Sequence, residues 1–66
     1  PRETFVARKD GVIMYRSPST SSSVLRELDK NMIVYPTGGK EELFWEVEDE
    51  NGNVGWVDNT DLKPAK

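Results

Sequence analysis

The stretch of residues 44–57, FWEVEDENGNVGWV, combines aromatic rings with carboxylates. A pair of carboxyl groups such as Glu46 and Glu48 can act as general acid and general base when their surroundings give them different pKa values. Residues two apart on a β-strand share one face, and on an open face both carboxylates are hydrated, so they lack the distinct surroundings that an acid–base pair needs. We therefore predict that these carboxylates face a ligand or solvent and catalyse no reaction.

The composition excludes the common catalytic and metal centres. The chain has no histidine and no cysteine, so the usual nucleophile–base pairs and an ordinary zinc site cannot form. Residues 49–53, DENGN, match the first half of a calcium-binding loop, but Val54 replaces the glycine of that motif and Thr60 replaces its bidentate glutamate. We predict a turn at residues 49–53, no catalytic residues, no metal and no cofactor.

The length and charge of the chain limit its partners. Its 66 residues suffice for one small domain, and the net charge is −3 with the nine Lys and Arg residues scattered along the chain. Nucleic acids and anionic membrane surfaces are bound by clustered cations, so neither partner is expected. No apolar stretch is long enough to span a membrane or to serve as a secretion signal.

The boundaries of the sequence suggest a module. We interpret residues 1–66 as a single domain excised from a larger protein, with KPAK, residues 63–66, as the start of a linker. We expect the isolated domain to be a monomer. The lack of cysteine is compatible with export, because an exported protein without thiols avoids stray oxidation.

The apolar residues occur in short groups rich in β-branched and aromatic types, separated by Gly, Pro, Asn, Asp and Ser. This pattern is typical of a small all-β fold. A barrel of five to six short, strongly bent antiparallel strands is predicted, because a sheet that closes on itself removes most exposed edges. The Gly-rich segment TGGKEE, residues 37–42, is predicted to be a mobile loop. The predicted strands are residues 5–8, 12–15, 24–28, 32–37, 44–48 and 54–57, with a short closing piece around Leu62.

The orientation of the last hairpin follows from the length of its turn. A two-residue loop would not gather the apolar side chains on one face. A three-residue loop, residues 50–52, with Gly52 in the left-handed region, pairs Trp45 with Val57 and Val47 with Gly55. These four residues then point inward. The outward side chains are those of Phe44, Glu46, Glu48, Val54 and Trp56.

Four segments follow one another along the chain: GVIMYRSPSTSSSVLREL, DKNMIVY, FWEV and NGNVGWVDNTDL. In this order they resemble the bacterial SH3-like domain family, also called SH3b or SH3 type 3. The resemblance covers nearly the whole chain and implies a small SH3-like barrel. Members of this family are commonly appended to cell-wall hydrolases and other exported bacterial proteins, where several are thought to recognise peptidoglycan. The resemblance implies a targeting module that is extracellular, in the cell wall or periplasmic through its parent protein.

A ligand-binding groove is predicted between the Ser-rich loop, residues 16–23, the segment 37–42 and the outward face of the last hairpin. Its rings would stack on a ligand, and its carboxylates would favour an amino group, as on the stem peptides of peptidoglycan or on a basic peptide segment. The sequence departs from the family where Phe44 replaces a frequent Trp and Asp61 a frequent Tyr. The predicted site residues are Tyr15, Phe44, Glu46, Trp56, Asn59 and Asp61.

Two functions are left open by the sequence. The first is a non-catalytic binding and targeting module that recognises cell-wall peptidoglycan through the predicted groove. The alternative is a structural or protein–protein interaction domain that packs on its parent chain or on a partner and has no wall ligand. The missing aromatic at Asp61 favours the alternative, and an exposed apolar patch of interface size would support it.

Overall fold

The computed structural model describes residues 2–65 and is all-β apart from a short 3-10 helix at Asn59–Asp61. Pro1 and Lys66, the last residue of the predicted linker, lie outside this range. The strands are β1 (Phe5–Ala7), β2 (Val12–Tyr15), β3 (Val24–Leu28), β4 (Ile33–Glu41), β5 (Phe44–Asp49), β6 (Val54–Asp58) and β7 (Leu62–Pro64). They form one antiparallel sheet in the order β3-β2-β6-β5-β4-β1-β7.

No helix among residues 2–65 has the length and apolar character needed to cross a membrane.

The predicted all-β class and antiparallel pairing are confirmed, but the predicted number of five to six strands is wrong. The closing piece around Leu62 is a seventh strand, because Leu62 pairs with Ala7 and Pro64 pairs with Phe5. Lys63 and Pro64, which the sequence assigns to the start of a linker, thus lie in β7. The edges of the sheet are therefore β3 and β7.

Strand β4 is longer than predicted because it bulges and then resumes its pairing with β5. The register shifts between Pro36, opposite Val47, and Lys40, opposite Trp45. Three residues of β4 therefore oppose a single residue of β5. Gly38 has a φ of 102°, a conformation that glycine adopts without steric cost. Most of the predicted loop 37–42 is consequently part of a strand, and the chain turns only after Glu41.

The register of the β5–β6 hairpin is confirmed. Trp45 lies opposite Val57, and Val47 lies opposite Gly55. Gly52 has a φ of 87° and donates its N–H to the carbonyl of Asp49 at 3.1 Å, as expected for a three-residue loop that ends in a left-handed residue. One side of the hairpin therefore faces the core and the other faces outward.

A single apolar cluster fills the concave side of the sheet. It includes Leu28 of the edge strand β3 and Leu62 of the opposite edge strand β7. In a flat sheet of seven strands these edges would be about 29 Å apart, at about 4.8 Å per strand. The sheet therefore curves around one core. The largest fully buried side chains are Met14, Leu28, Val12, Val34, Val47 and Val57.

Trp45 packs against this core from its margin. Its ring meets Phe5 edge to face, with centroids 5.5 Å apart and an interplanar angle of 88°. The Nζ atom of Lys40 lies 4.7 Å from the Trp45 ring centroid. The predicted inward orientation of Trp45 is confirmed, although the side chain stays partly exposed.

Candidate functional site

Side chains of β2, β5 and β6 form an aromatic and acidic surface on the side of the sheet away from the core, which we call the outer face. Trp56 pairs with Tyr15 of β2 and with Glu46 of β5, and residues directly opposite each other share a face. The rings of Tyr15 and Phe44 meet edge to face, with centroids 5.9 Å apart. All four side chains are half-buried, so each presents part of its surface to solvent.

The bulge of β4 makes room for the Trp56 ring. A Cβ atom at Gly39 would lie 3.3 Å from Cη2 of Trp56 and 3.0 Å from Cβ of Glu46. The indole therefore extends across β5 and rests against a residue without a side chain. The Glu46 carboxylate accepts a hydrogen bond of 2.6 Å from the Thr37 hydroxyl, which fixes its position beside the ring.

The remaining two predicted site residues have structural partners. Asn59 donates its backbone N–H and its side-chain amide to the Leu43 carbonyl, at 2.9 and 2.6 Å, and so holds the turn that precedes Phe44. Asp61 forms an ion pair of 3.8 Å with Lys9. The structure thus brings together Tyr15, Phe44, Glu46 and Trp56, places Asn59 beside them at the turn, and engages Asp61 with the loop after β1.

The outer face continues to Tyr35 and Glu48, which pair across β4 and β5. The Arg2 guanidinium lies over the Tyr35 ring, 4.3 Å from its centroid, and donates a hydrogen bond of 2.9 Å to the Glu48 carboxylate. The alternation of β5 predicts the outward direction of Glu48. The contact with Arg2 carries no sequence signal, because 46 residues separate the partners.

Two clefts border strand β4. The first has a volume of about 440 Å³ and lies beside the bulge, with Trp45 and Lys40 in its wall. The second has a volume of about 580 Å³ and contains the contact between Arg2 and Glu48. The first is lined by Glu3, Pro36, Thr37, Gly38, Gly39, Lys40 and Trp45, and the second by Arg2, Thr4, Tyr35, Glu48, Asp49, Glu50 and Gly52.

Within residues 2–65, Asp49 is the one charged residue that is buried, and no sequence pattern indicates a role for it beyond that of a turn residue. Its Oδ1 accepts the N–H groups of Asn51 and Asn53, both at 2.9 Å. Its Oδ2 accepts Nη1 of Arg26 at 3.0 Å and the side-chain amide of Asn53 at 3.1 Å. Burial alone would raise the pKa of Asp49, but these hydrogen bonds outweigh burial and lower the pKa below its ordinary value.

The Asp49 carboxylate therefore stabilises the fold. Arg26 lies on β3, which β2 and β6 separate from β5 in the sheet order, so this ion pair joins parts of the sheet that a flat arrangement would keep apart. Within residues 2–65, no three acidic side chains converge on a point where they could hold a metal ion.

No protein-family model matches the sequence, and a search of curated proteins finds no match.

Proposed function

We propose that this chain is a small SH3-like barrel that serves as a non-catalytic binding module. The observation that carries this proposal is the meeting of Tyr15, Phe44 and Trp56 with the Glu46 carboxylate on one solvent-facing side of the sheet. Three half-buried rings give a stacking surface at low cost in side-chain entropy, because their positions are already fixed by neighbours.

The barrel is supported by the curvature of the sheet. One core cluster contains residues of both edge strands, and the ion pair of Arg26 with Asp49 connects β3 to β5 across two intervening positions of the sheet. Both features are expected when a sheet bends back on itself. The order of motifs along the sequence, which resembles the bacterial SH3-like family, agrees with this interpretation.

The chemistry of the outer face favours a ligand that carries an amino group next to apolar or sugar surface. Glu46 offers a fixed carboxylate beside the Trp56 ring, and an ammonium group gains both a charged hydrogen bond and a contact with the ring face there. We propose peptidoglycan, through its stem peptides, as this ligand. The module would then target a larger exported bacterial protein to the cell wall, outside the cytoplasm.

A protein partner is the second candidate, and a different observation favours it. Leu43 and Val54, which are 58% and 48% exposed, add apolar surface next to Phe44 and opposite Glu48. Exposed aliphatic side chains around a group of rings are typical of protein interfaces. In this case the outer face would pack on the parent chain, on a neighbouring domain or on another protein, without a wall ligand.

The experiment that tests wall binding is co-sedimentation of the labelled domain with purified peptidoglycan sacculi, at low and at physiological salt. We expect the wild type to sediment, and Trp56→Ala to stay in solution because it lacks the stacking surface. Trp56→Phe, which keeps a ring, should retain part of the binding. Glu46→Gln should weaken binding mainly at low salt, where charge interactions are least screened.

Two results contradict the proposal. Absence of wild-type sedimentation would exclude the wall as the ligand and leave the protein-partner function. Equal sedimentation of the wild type and Trp56→Ala, with both proteins folded, would show that the sacculi are bound elsewhere on the domain. Glu27→Gln is the matched charge control for Glu46→Gln, since Glu27 is exposed on the edge strand β3.

A further inference from the structure

The contact of Arg2 with Tyr35 and Glu48 has the form of a ligand contact made by the chain itself. The guanidinium stacks on a ring at 4.3 Å and bonds to a carboxylate at 2.9 Å. Aromatic rings and carboxylates are the two groups that bind a guanidinium or ammonium ion most favourably in proteins. The structure therefore contains an occupied cation-binding subsite on the outer face.

A second pair of the same composition lies one step along β5. Glu46 pairs with Trp56, as Glu48 pairs with Tyr35. Glu46 and Glu48 are two residues apart on a regular strand, so they share a face and lie about 7 Å from each other along β5. An extended peptide has the same repeat, and its alternate side chains also project to one side at about 7 Å.

We propose that the outer face binds an extended peptide with cationic side chains at alternate positions. Two cation-binding subsites would receive these side chains, the first formed by Trp56 with Glu46 and the second by Tyr35 with Glu48. In the free chain, Arg2 occupies the second subsite in place of the ligand. This inference rests on the proposed binding role of the outer face, and it names a cationic peptide segment as the partner that this face recognises. Within residues 2–65, Glu46 of the first subsite has no cationic partner and accepts a hydrogen bond from the Thr37 hydroxyl, whereas the second subsite requires displacement of Arg2.

The charges around the two subsites agree with a cationic ligand. Asp58 and Glu41 both lie opposite Phe44 in the register, and Glu50 lines the cleft that contains Arg2. A surface with this excess of carboxylates attracts cations over several ångströms and repels anionic competitors.

The exposure of Arg2 makes its displacement easy. Its side chain is 55% exposed and that of Glu48 is 33% exposed, and ion pairs with this exposure contribute little to stability. A ligand that must displace Arg2 loses only a modest factor in affinity. From the usual strength of exposed ion pairs and cation–π contacts, this factor is about threefold to tenfold.

The test compares three blocked heptapeptides by fluorescence titration of the whole 66-residue chain. The probe is Gly-Thr-Arg-Thr-Arg-Thr-Gly, the single-cation control is Gly-Thr-Arg-Thr-Gln-Thr-Gly, and the spacing control is Gly-Thr-Arg-Arg-Thr-Thr-Gly, in which the two cations point to opposite sides. We expect the probe to bind more tightly than both controls. Arg2→Ala should raise the affinity for the probe by about threefold to tenfold, with a much smaller change for the single-cation control.

The role of Glu48 is tested in the Arg2→Ala background. Adding Glu48→Gln should reduce the affinity for the probe to that for the single-cation control, while Glu27→Gln should leave it unchanged. The inference is overturned if Arg2→Ala does not raise the affinity for the probe, or if the spacing control binds as well as the probe. Sacculi binding that needs Trp56 would still support the proposed function in that event, so the two failures are distinguishable.

Discussion

From the hydrogen-bond network of Asp49, we predict that replacing this residue by Asn lowers the free energy of unfolding. Asp49→Asn keeps the size of the side chain, but an NH2 group then replaces one of the carboxylate oxygens. If the amide oxygen keeps the two backbone N–H groups of the turn, the new NH2 group faces Arg26 and the side-chain amide of Asn53, which are both donors. Two hydrogen bonds are lost, and Arg26 loses its charge partner.

The magnitude follows from the burial of these groups. Hydrogen bonds to charged partners contribute about 1.5–3 kcal/mol each, and the Asp49 side chain is only 1% exposed, although Arg26 at 30% still reaches water. We therefore expect Asp49→Asn to lower the free energy of unfolding by about 3 kcal/mol. The whole free energy of unfolding of a domain of this length is about 3–10 kcal/mol. The melting temperature should fall by more than about 10 °C.

The pH dependence gives an independent check. Because the pKa of Asp49 is lower in the folded chain than in the unfolded one, the unfolded state binds more protons as the solution is acidified. The stabilisation by Asp49 is complete above its ordinary pKa of about 4 and is lost as the pH falls through the lower pKa of the folded state. The stability difference between wild type and Asp49→Asn should therefore shrink with acid.

The assay is urea unfolding followed by tryptophan fluorescence, at pH 7 and at pH 3, with far-UV circular dichroism to verify that both proteins are folded in water. Glu27→Gln, an exposed change of the same chemical type, should stay within about 0.5 kcal/mol of wild type. Asp49→Asn would contradict this role of Asp49 if it were as stable as the control at pH 7, or if its loss of stability relative to wild type were the same at both pH values.

The remaining predictions concern aromatic residues and glycines. Trp45→Ala should lower the free energy of unfolding by about 3 kcal/mol, since the ring packs against the core, whereas Trp56→Ala should remain folded. Thermal scans in which Trp56→Ala is the less stable protein would contradict the assignment of the two faces. Gly39→Ala should displace the Trp56 ring, because the new Cβ would lie within 3.3 Å of it, and so change the fluorescence spectrum and weaken ligand binding. The matched variant Gly38→Ala meets no atom within 4 Å and strains only the backbone, so it should cost about 1–2 kcal/mol and leave the spectrum unchanged. Identical spectra for the two glycine variants would argue against the packing.

The local sequence pattern correctly predicted those features of the fold that depend on neighbouring residues in the chain. The alternation of side chains in β5 and β6, combined with Gly52 in the turn, fixes the register of the hairpin and brings Trp56 and Glu46 to one face. Strands β2 and β3 likewise have the predicted bounds, since each is a short apolar group between turn-forming residues.

Features of the fold that depend on contacts between residues distant in the chain could not be predicted from the sequence. Leu62 begins a strand only because β1, more than fifty residues earlier, offers a free edge. The bulge of β4 depends on the space that the Trp56 ring occupies at Gly39, and neither local composition nor period reveals it. Asp49 looks like an ordinary turn residue in the sequence, and its link to Arg26 exists only in the curved sheet.

The short edge strand β7 has a consequence for the behaviour of the chain at high concentration. An exposed strand edge can recruit another molecule and start fibril growth. Here the edge is three residues long and ends in Pro64, which has no N–H to offer to an incoming strand. Sheet extension from this side should therefore be poor, which would allow many copies to crowd on one surface without assembling into fibres.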